Sequence, residues 1–342
     1  MMKKRILSLL LAASMVFGLT ACGSSGSAAH SAKKRIVRIS HAQSEKHPEH
    51  IGLLAFQKYV EQHLGDKYDV QIFPNGILGD AQKAIELTQT GAIDFVVAGT
   101  ANLETFTKVY EIFSIPYLFT SMDAYKAMMG DSSYMSNIYK STDSAGFRVL
   151  TWYNAGTRNF YATKPIKTPD DLKGLKLRVQ QSPASVNMIK AFGAAATPMS
   201  FGEVYTAIQQ GVINGAENNE LALTDNKHGE VAKYFSYDMH QMVPDMLVGN
   251  LKFLESLSPE EQKVFEDAAA ESTKVELQEW DKQVDAAKKT AKEKMGVHFM
   301  NVDVSAFQKK VLPLQKQILQ GNPSIQAIYQ HIQEINQKYK KG

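Results

Sequence analysis

Cysteine occurs once in 342 residues, at Cys22, so no internal disulfide can form and the chain beyond that position has no thiol nucleophile. Long apolar runs are also missing. The longest, Ile6 to Leu19, falls short of the roughly 20 residues a spanning helix needs. No GxSxG, HExxH, P-loop or strand-following GxGxxG is present, so hydrolytic or nucleotide chemistry has no local support, although a triad assembled from distant positions stays open. "KHPEH" sets His47 and His50 around Glu49 at a helix start, where two histidines three apart are expected to be solvated or capping rather than metal ligands. The remaining histidines form no second cluster, and neither metal nor cofactor is expected.

What is present begins with an export signal. "MMKKRILSLLLAASMVFGLTAC" has a basic start (Lys3, Lys4, Arg5), an apolar run and small residues before Cys22, which predicts a signal peptide over residues 1–21. Its ending, Leu19-Thr20-Ala21-Cys22, resembles the lipobox of bacterial lipoproteins, which implies lipidation at Cys22. Residues 22–34, "CGSSGSAAHSAKK", then read as a Gly/Ser/Ala tether to a membrane on the extracytoplasmic side, in periplasm or at the cell surface. Removing the signal discards three of the 38 Lys and Arg and leaves 35 against 35 Asp and Glu. A neutral chain offers no electrostatic case for a nucleic-acid partner.

Beyond the tether, strands and helices alternate, and 342 residues exceed what one core usually organises, so an α/β fold of two lobes is expected. "RIVRIS", "YDVQIF", "AIDFVVAG", "FRVLTWY" and "LKLRVQQ" read as strands; Leu53, Phe56, Val60 and Leu64 form a helical stripe. "PNGILGD" is a turn, and "AQKAIELTQTG" a helix stopped at Gly91. Thr168-Pro169 opens a capped turn, and Ser200 with Glu203 forms a capping box for a helix running to Gly211. From Ser258-Pro259 no Pro or Gly interrupts the chain until Gly296, which predicts a helix on the order of 55 Å long, enough to be kinked or to span both lobes.

Within "GLKLRVQQSP" alternation sends Leu175, Leu177 and Val179 to one face and Lys176, Arg178 and Gln180 to the other, so the residues alone place Arg178 on a solvated face. A resemblance points elsewhere. "GTRNFYATKPIKTPDDLKGLKLRVQQSPASVNMIKAFGAAATPMSFGEVYTAIQQGVINGAENN" (residues 156–219) resembles the core of the solute receptors of TRAP transporters, the tripartite ATP-independent periplasmic family. "FPNGILGD", "AIDF", "FSIPYLF" and "SLSPEEQ" follow in family order, so the resemblance spans nearly the whole chain after the signal.

That resemblance implies a two-lobed periplasmic-binding-protein-like fold with mixed, mainly parallel sheets and a long helix spanning both lobes. Lobe I is expected over 35–155 and 244–283, and lobe II over 156–243 and 284–342. Crossings near Tyr153–Gly156 and Met242–Met246 are expected to absorb lobe motion. It further implies that Arg178 forks a ligand carboxylate, that Arg158 contributes, that Asn218 orients the acid and that Phe201 walls the cleft, a core position being the plain alternative for Phe201. The sialic-acid branch carries a Glu and an Arg where this chain has Gly99 and Asn102. "RVQQSP" with "GAENN" is closer to the branch that binds hexuronates, although Glu220 stands where some of its members have an aromatic. Hydroxyl partners are expected among His41, Gln43, Gln180, Gln181, Asn154 and Asn219, with Glu86 a further candidate or an ordinary surface residue. The function implied is a monomeric, non-enzymatic receptor that hands a small organic acid to a small and a large membrane subunit driven by an ion gradient. A C4-dicarboxylate or other carboxylic acid is the alternative ligand, and a secreted sugar-acid enzyme the distant one.

Overall fold

The computed structural model describes residues 33–340; the signal peptide, Cys22 and nearly all of the tether lie outside them. Two mixed sheets organise the chain. The first has the order β2-β1-β3-β10-β4, built from β1 (Arg35–Ser40), β2 (Tyr68–Phe73), β3 (Phe95–Gly99), β4 (Phe147–Tyr153) and β10 (Asp245–Asn250). The second has the order β11-β9-β5-β8-β6-β7, from β5 (Arg158–Ala162), β6 (Lys176–Val179), β7 (Ala195–Pro198), β8 (Gly215–Asn218), β9 (Tyr234–Gln241) and β11 (His298–Asn301). Five of the nine strand pairings are parallel, the rest being made by β10 and β5. All five residues of β3 are buried because helices cover the sheet, the usual condition of parallel strands.

One core lies under the first sheet, where Phe56, Phe95, Phe253 and Phe265 pack with ring centroids 5.4–6.0 Å apart. Another draws Val96, Trp152 and Met246 from the first sheet and Phe160, Leu177 and Val179 from the second, together with Phe307 and Ile332 of the C-terminal helices. The expected long helix is present as Pro259–Met295, 37 residues. The Ser258–Glu261 capping box starts it, and Gly296, at φ 67°, ends it in the left-handed conformation that glycine tolerates. It packs on the first helix (Pro48–Leu64) and β4, and farther along on the short helices Leu221–Thr224 and His228–Val231. Hydrogen bonds fix its course: Tyr153 Oη to Ser272 Oγ at 2.8 Å, Asn154 N to Glu276 Oε2 at 3.1 Å, and Lys233 Nζ to the Met295 carbonyl at 2.7 Å. It thus touches elements attached to both sheets, as a helix spanning two lobes should.

The Ser200–Glu203 box is also present, but the helix after it is shorter than expected, a 3-10 turn leading into Val204–Gln209. The segments 154–157 and 242–244 join the sheets. In the first, Gly156 has φ +65°, and a side-chain carbon there would come within 2.8 Å of the Trp280 ring.

Candidate functional site

Arg178 is not on a solvated face. It is 4% exposed, because β6 runs inside its sheet between β8 and β7 and, past the exposed Lys176, is covered by protein. Its Nε donates to the Met199 carbonyl at 3.1 Å, and its guanidinium lies 5.3 Å from the Phe201 ring centroid. Among the described residues it has no ion-pair partner. Burial pulls its pKa down to about 10, with the charge of Arg158 adding to the effect and Glu217 opposing it. A charge so placed is costly until an anion arrives.

Arg158, the first residue of β5, is equally buried and fully engaged. Its Nε and Nη2 fork the carboxylate of Glu217 at 2.5 and 2.9 Å, Nη2 also reaches the Glu217 carbonyl at 2.9 Å, and Nη1 donates to Asn218 Oδ1 at 3.3 Å. The network continues inward. His240 Nε2 lies 3.4 Å from Glu217 Oε2, and His240 Nδ1 lies 2.8 Å from Asp238 Oδ2. Burial raises the Glu217 carboxyl, but Arg158 and His240 outweigh it and hold it down at about 2. Burial likewise lowers His240, yet Asp238 and Glu217 push it up to about 9. Four charges cancel in pairs, and Arg178 is left over.

Both arginines line a cavity of about 180 Å³ beside the end of β3. From the second sheet's side come Arg158, Arg178, Gln180, Gln181, Phe201, Asn218 and Asn219; from the first sheet's side come Gln43, His47, Glu49, Gly99, Asn102 and Asp245. The sides meet at Gly99, where an added side-chain carbon would lie 2.8 Å from Gln180 Nε2 and 3.1 Å from Asp245 Oδ1, so a larger residue there would displace those two polar ends. Gln181 Nε2 also reaches Asp80 Oδ2 across the mouth at 3.4 Å.

Three expected residues are outside the lining. His41 is buried behind it, 2.9 Å from His50 Nδ1; Asn154 accepts from Gly156 N at 3.0 Å in the crossing segment; and Glu86 pairs with Lys83 at 3.1 Å on the partly exposed helix Ala81–Thr90. Asn219 lines the cavity while also bracing the chain, through Nδ2 to the Ala155 carbonyl and Oδ1 from Leu221 N, both 2.9 Å. Phe201 both lines the cavity and packs at the edge of a core cluster. His47 caps its helix, accepting from Glu49 N at 3.2 Å, but neither it nor His50 is solvated; burial holds His47 neutral, at about 3. No group of side chains suited to a metal ion is found among the described residues.

Sequence reasoning did not single out Glu217 or Asp245 and read Glu49 only as a metal-site candidate. Glu217 is the glutamate of the "GAENN" run already noted, but its partner lies 59 residues earlier. Asp245 opens β10 directly after Pro244 in a crossing segment, a position without a motif of its own.

The family model described as bacterial extracellular solute-binding protein, family 7 (DctP), matches residues 39–322. A crystal structure of a TRAP periplasmic solute-binding protein from Anaerococcus prevotii with bound α/β-D-glucuronate is 50% identical, with a TM-score of 0.89, and the match covers 90% of this chain and 100% of that one. One from a Sulfitobacter species with bound β-D-galacturonate is 33% identical, TM-score 0.82, over 86% of this chain and 98% of that one. The protein YiiZ of Salmonella typhimurium, which carries no assigned function, is 40% identical over 299 residues, 87% of this chain and 91% of its own.

Proposed function

The chain belongs to the family 7 bacterial extracellular solute-binding proteins and is an extracytoplasmic TRAP-type solute receptor, and from that premise we propose that it captures a hexuronate such as glucuronate or galacturonate in the cavity beneath Arg178. The observation that carries the reading is Arg178 itself, a buried guanidinium without an anionic partner in a cavity otherwise lined by hydroxyl-compatible groups. A ligand carboxylate supplies the missing charge through two parallel hydrogen bonds. Asn218 and Arg158 Nη1 orient it from the side, Phe201 covers the sugar face, and Gln43, Gln180, Gln181 and Asn219 exchange hydrogen bonds with its hydroxyls.

Contacts from both walls favour the state in which they are close, with the segments 154–157 and 242–244 as the joints, and that closed shape is delivered to the small and large permease subunits. No bond of the ligand is made or broken. The receptor acts as a monomer held at the membrane by lipid on Cys22, for which the Leu19-Thr20-Ala21-Cys22 sequence is the support. Isothermal titration of the purified receptor with sugar acids, dicarboxylates and keto acids tests the reading: micromolar or tighter binding of a hexuronate is the expected result. Failure of every hexuronate to bind while another acid does would refute the ligand assignment.

A further inference from the structure

The two sides of the cavity differ in charge. Every cationic side chain in its lining, Arg158 and Arg178, stands on the second sheet's side, whereas the first sheet's side presents three carboxyls: Asp80 at the mouth, which caps the helix Ala81–Thr90 and receives Gln181, and, as a pair, Glu49 from the first turn of the helix Pro48–Leu64 and Asp245 at the start of β10. Glu49 is 3% exposed, stands beside Asp245, and has Oε1 3.2 Å from Nδ1 of the buried His41. Asn102, 5% exposed and in the same lining, makes no side-chain hydrogen bond among the described residues. A buried amide without a partner in the cavity wall calls for a polar guest.

We propose that the Glu49–Asp245 carboxyl pair, with Asn102 beside it, is the specificity determinant of the cavity: it receives the hydroxyl end of a mono-acid whose carboxylate lies on Arg178, and it excludes ligands that carry a second carboxylate. The inference rests on the receptor function proposed above and narrows it. A hexuronate carries one carboxylate at one end of its chain of hydroxyls, so its two ends match the two walls. Carboxyls exchange hydrogen bonds with hydroxyls in either sense, as donor when protonated and as acceptor always. A diacid of the same length sets its second carboxylate against two carboxyls, where the nearest cation, Arg158, is already neutralised by Glu217, so its hydration is lost with little compensation. An uncharged aldose suits the carboxyl wall but leaves Arg178 buried and unpaired. Burial raises the pKa of both carboxyls, and the charge of Glu49 raises Asp245 further while the contact with Asp245 partly offsets the rise at Glu49, so the pair keeps a proton available to a hydroxyl oxygen.

Isothermal titration of the wild-type receptor, Glu49→Gln and Asp245→Asn with D-glucuronate, D-glucarate and D-glucose tests this. The wild type is expected to bind glucarate and glucose at least about a hundredfold more weakly than glucuronate. Each variant is expected to lose about tenfold or more in glucuronate affinity and to narrow the glucuronate-to-glucarate ratio. Glucarate binding within about threefold of glucuronate in the wild type, or a ratio unchanged in both variants, overturns the proposal. The wild-type ratio decides even if one variant does not fold. Should the wild type bind no hexuronate, the function proposed above fails, and the same ratio taken between whichever mono-acid binds and its diacid analogue judges the carboxyl pair separately.

Discussion

Arg158 and Arg178 are the same residue type, twenty positions apart in one sheet, buried to the same 4% and lining one cavity, yet their surroundings give them opposite electrostatic roles. Arg158 stands on β5 beside β8, where Glu217 satisfies its fork and hands the charge on to His240 and Asp238. Arg178 stands on β6, where the nearest acceptor is a backbone carbonyl and the nearest face an aromatic ring. An internally neutralised guanidinium is scaffolding at the edge of the cavity; an unneutralised one is a binding site awaiting its anion.

Substituting each arginine breaks the comparison in different currencies. Arg158→Ala strands the carboxylate of Glu217 in the interior and is expected to cost roughly 3–5 kcal/mol of folding stability, taking ligand binding with it. Chemical denaturation of the unliganded protein measures this; an unchanged midpoint would mean that the Glu217 network is not structural. Arg178→Ala is expected to leave the unliganded midpoint equal or higher, since a buried unpaired charge is removed, while hexuronate affinity falls by roughly 3–5 kcal/mol, about a thousandfold. Retained micromolar binding in a titration of Arg178→Ala would erase the distinction between the two sites.

A smaller effect is expected at the joint that precedes β5. Gly156 holds φ +65° against Trp280, so Gly156→Ala meets both left-handed strain and a close contact, together about 1–3 kcal/mol. Thermal unfolding checks the loss. An unaffected melting temperature would mean that the segment relaxes freely, and that Arg158 does not depend on its entry angle.

Much of this scaffold could be read from the chain. The long helix was legible because its ends are chemical, a capping box at Ser258 and a left-handed glycine at Gly296. Arg178 was not legible from periodicity, which assumes one wet face; in β6 that face is wet only at Lys176 and buried at Arg178, and only resemblance to a receptor family pointed to its role. Arg158 drew notice by the same resemblance, but its neutralisation by Glu217 depends on strand pairing between β5 and β8, which no local pattern encodes. The carboxyl wall was missed for a related reason: Glu49 and Asp245 are 196 positions apart and converge only because β10 returns beside β3. Conversely, His41, Asn154 and Glu86 carried suitable functional groups but stand outside the cavity lining, since residue type alone does not aim a side chain.

The smallest expected effect follows from His240, where the internal network of Arg158 meets solvent pH. His240 faces Asp238 on its own strand, Glu217 on β8 and, beyond that carboxylate, Arg158 on β5, and it stacks on Phe160 at 4.6 Å. Its pKa in the folded protein is raised from 6.5 to about 9, so the folded state holds this proton more tightly than the unfolded chain does. The resulting stabilisation is fully present below pH 6.5 and is lost as pH rises through 9. Between pH 6.5 and 7.5 the loss amounts to about 1 kcal/mol, and the buried carboxyls Glu49, Asp245 and Glu276, also raised, act with the same sign. Denaturation midpoints of the unliganded protein taken across that range should therefore fall with pH, and His240→Gln should flatten the slope. Arg178 stays charged throughout the range, so the affinity of Arg178 for a carboxylate should change far less than the stability of the network around Arg158; parallel pH dependence of binding and unfolding would show that the two arginines form one electrostatic unit after all.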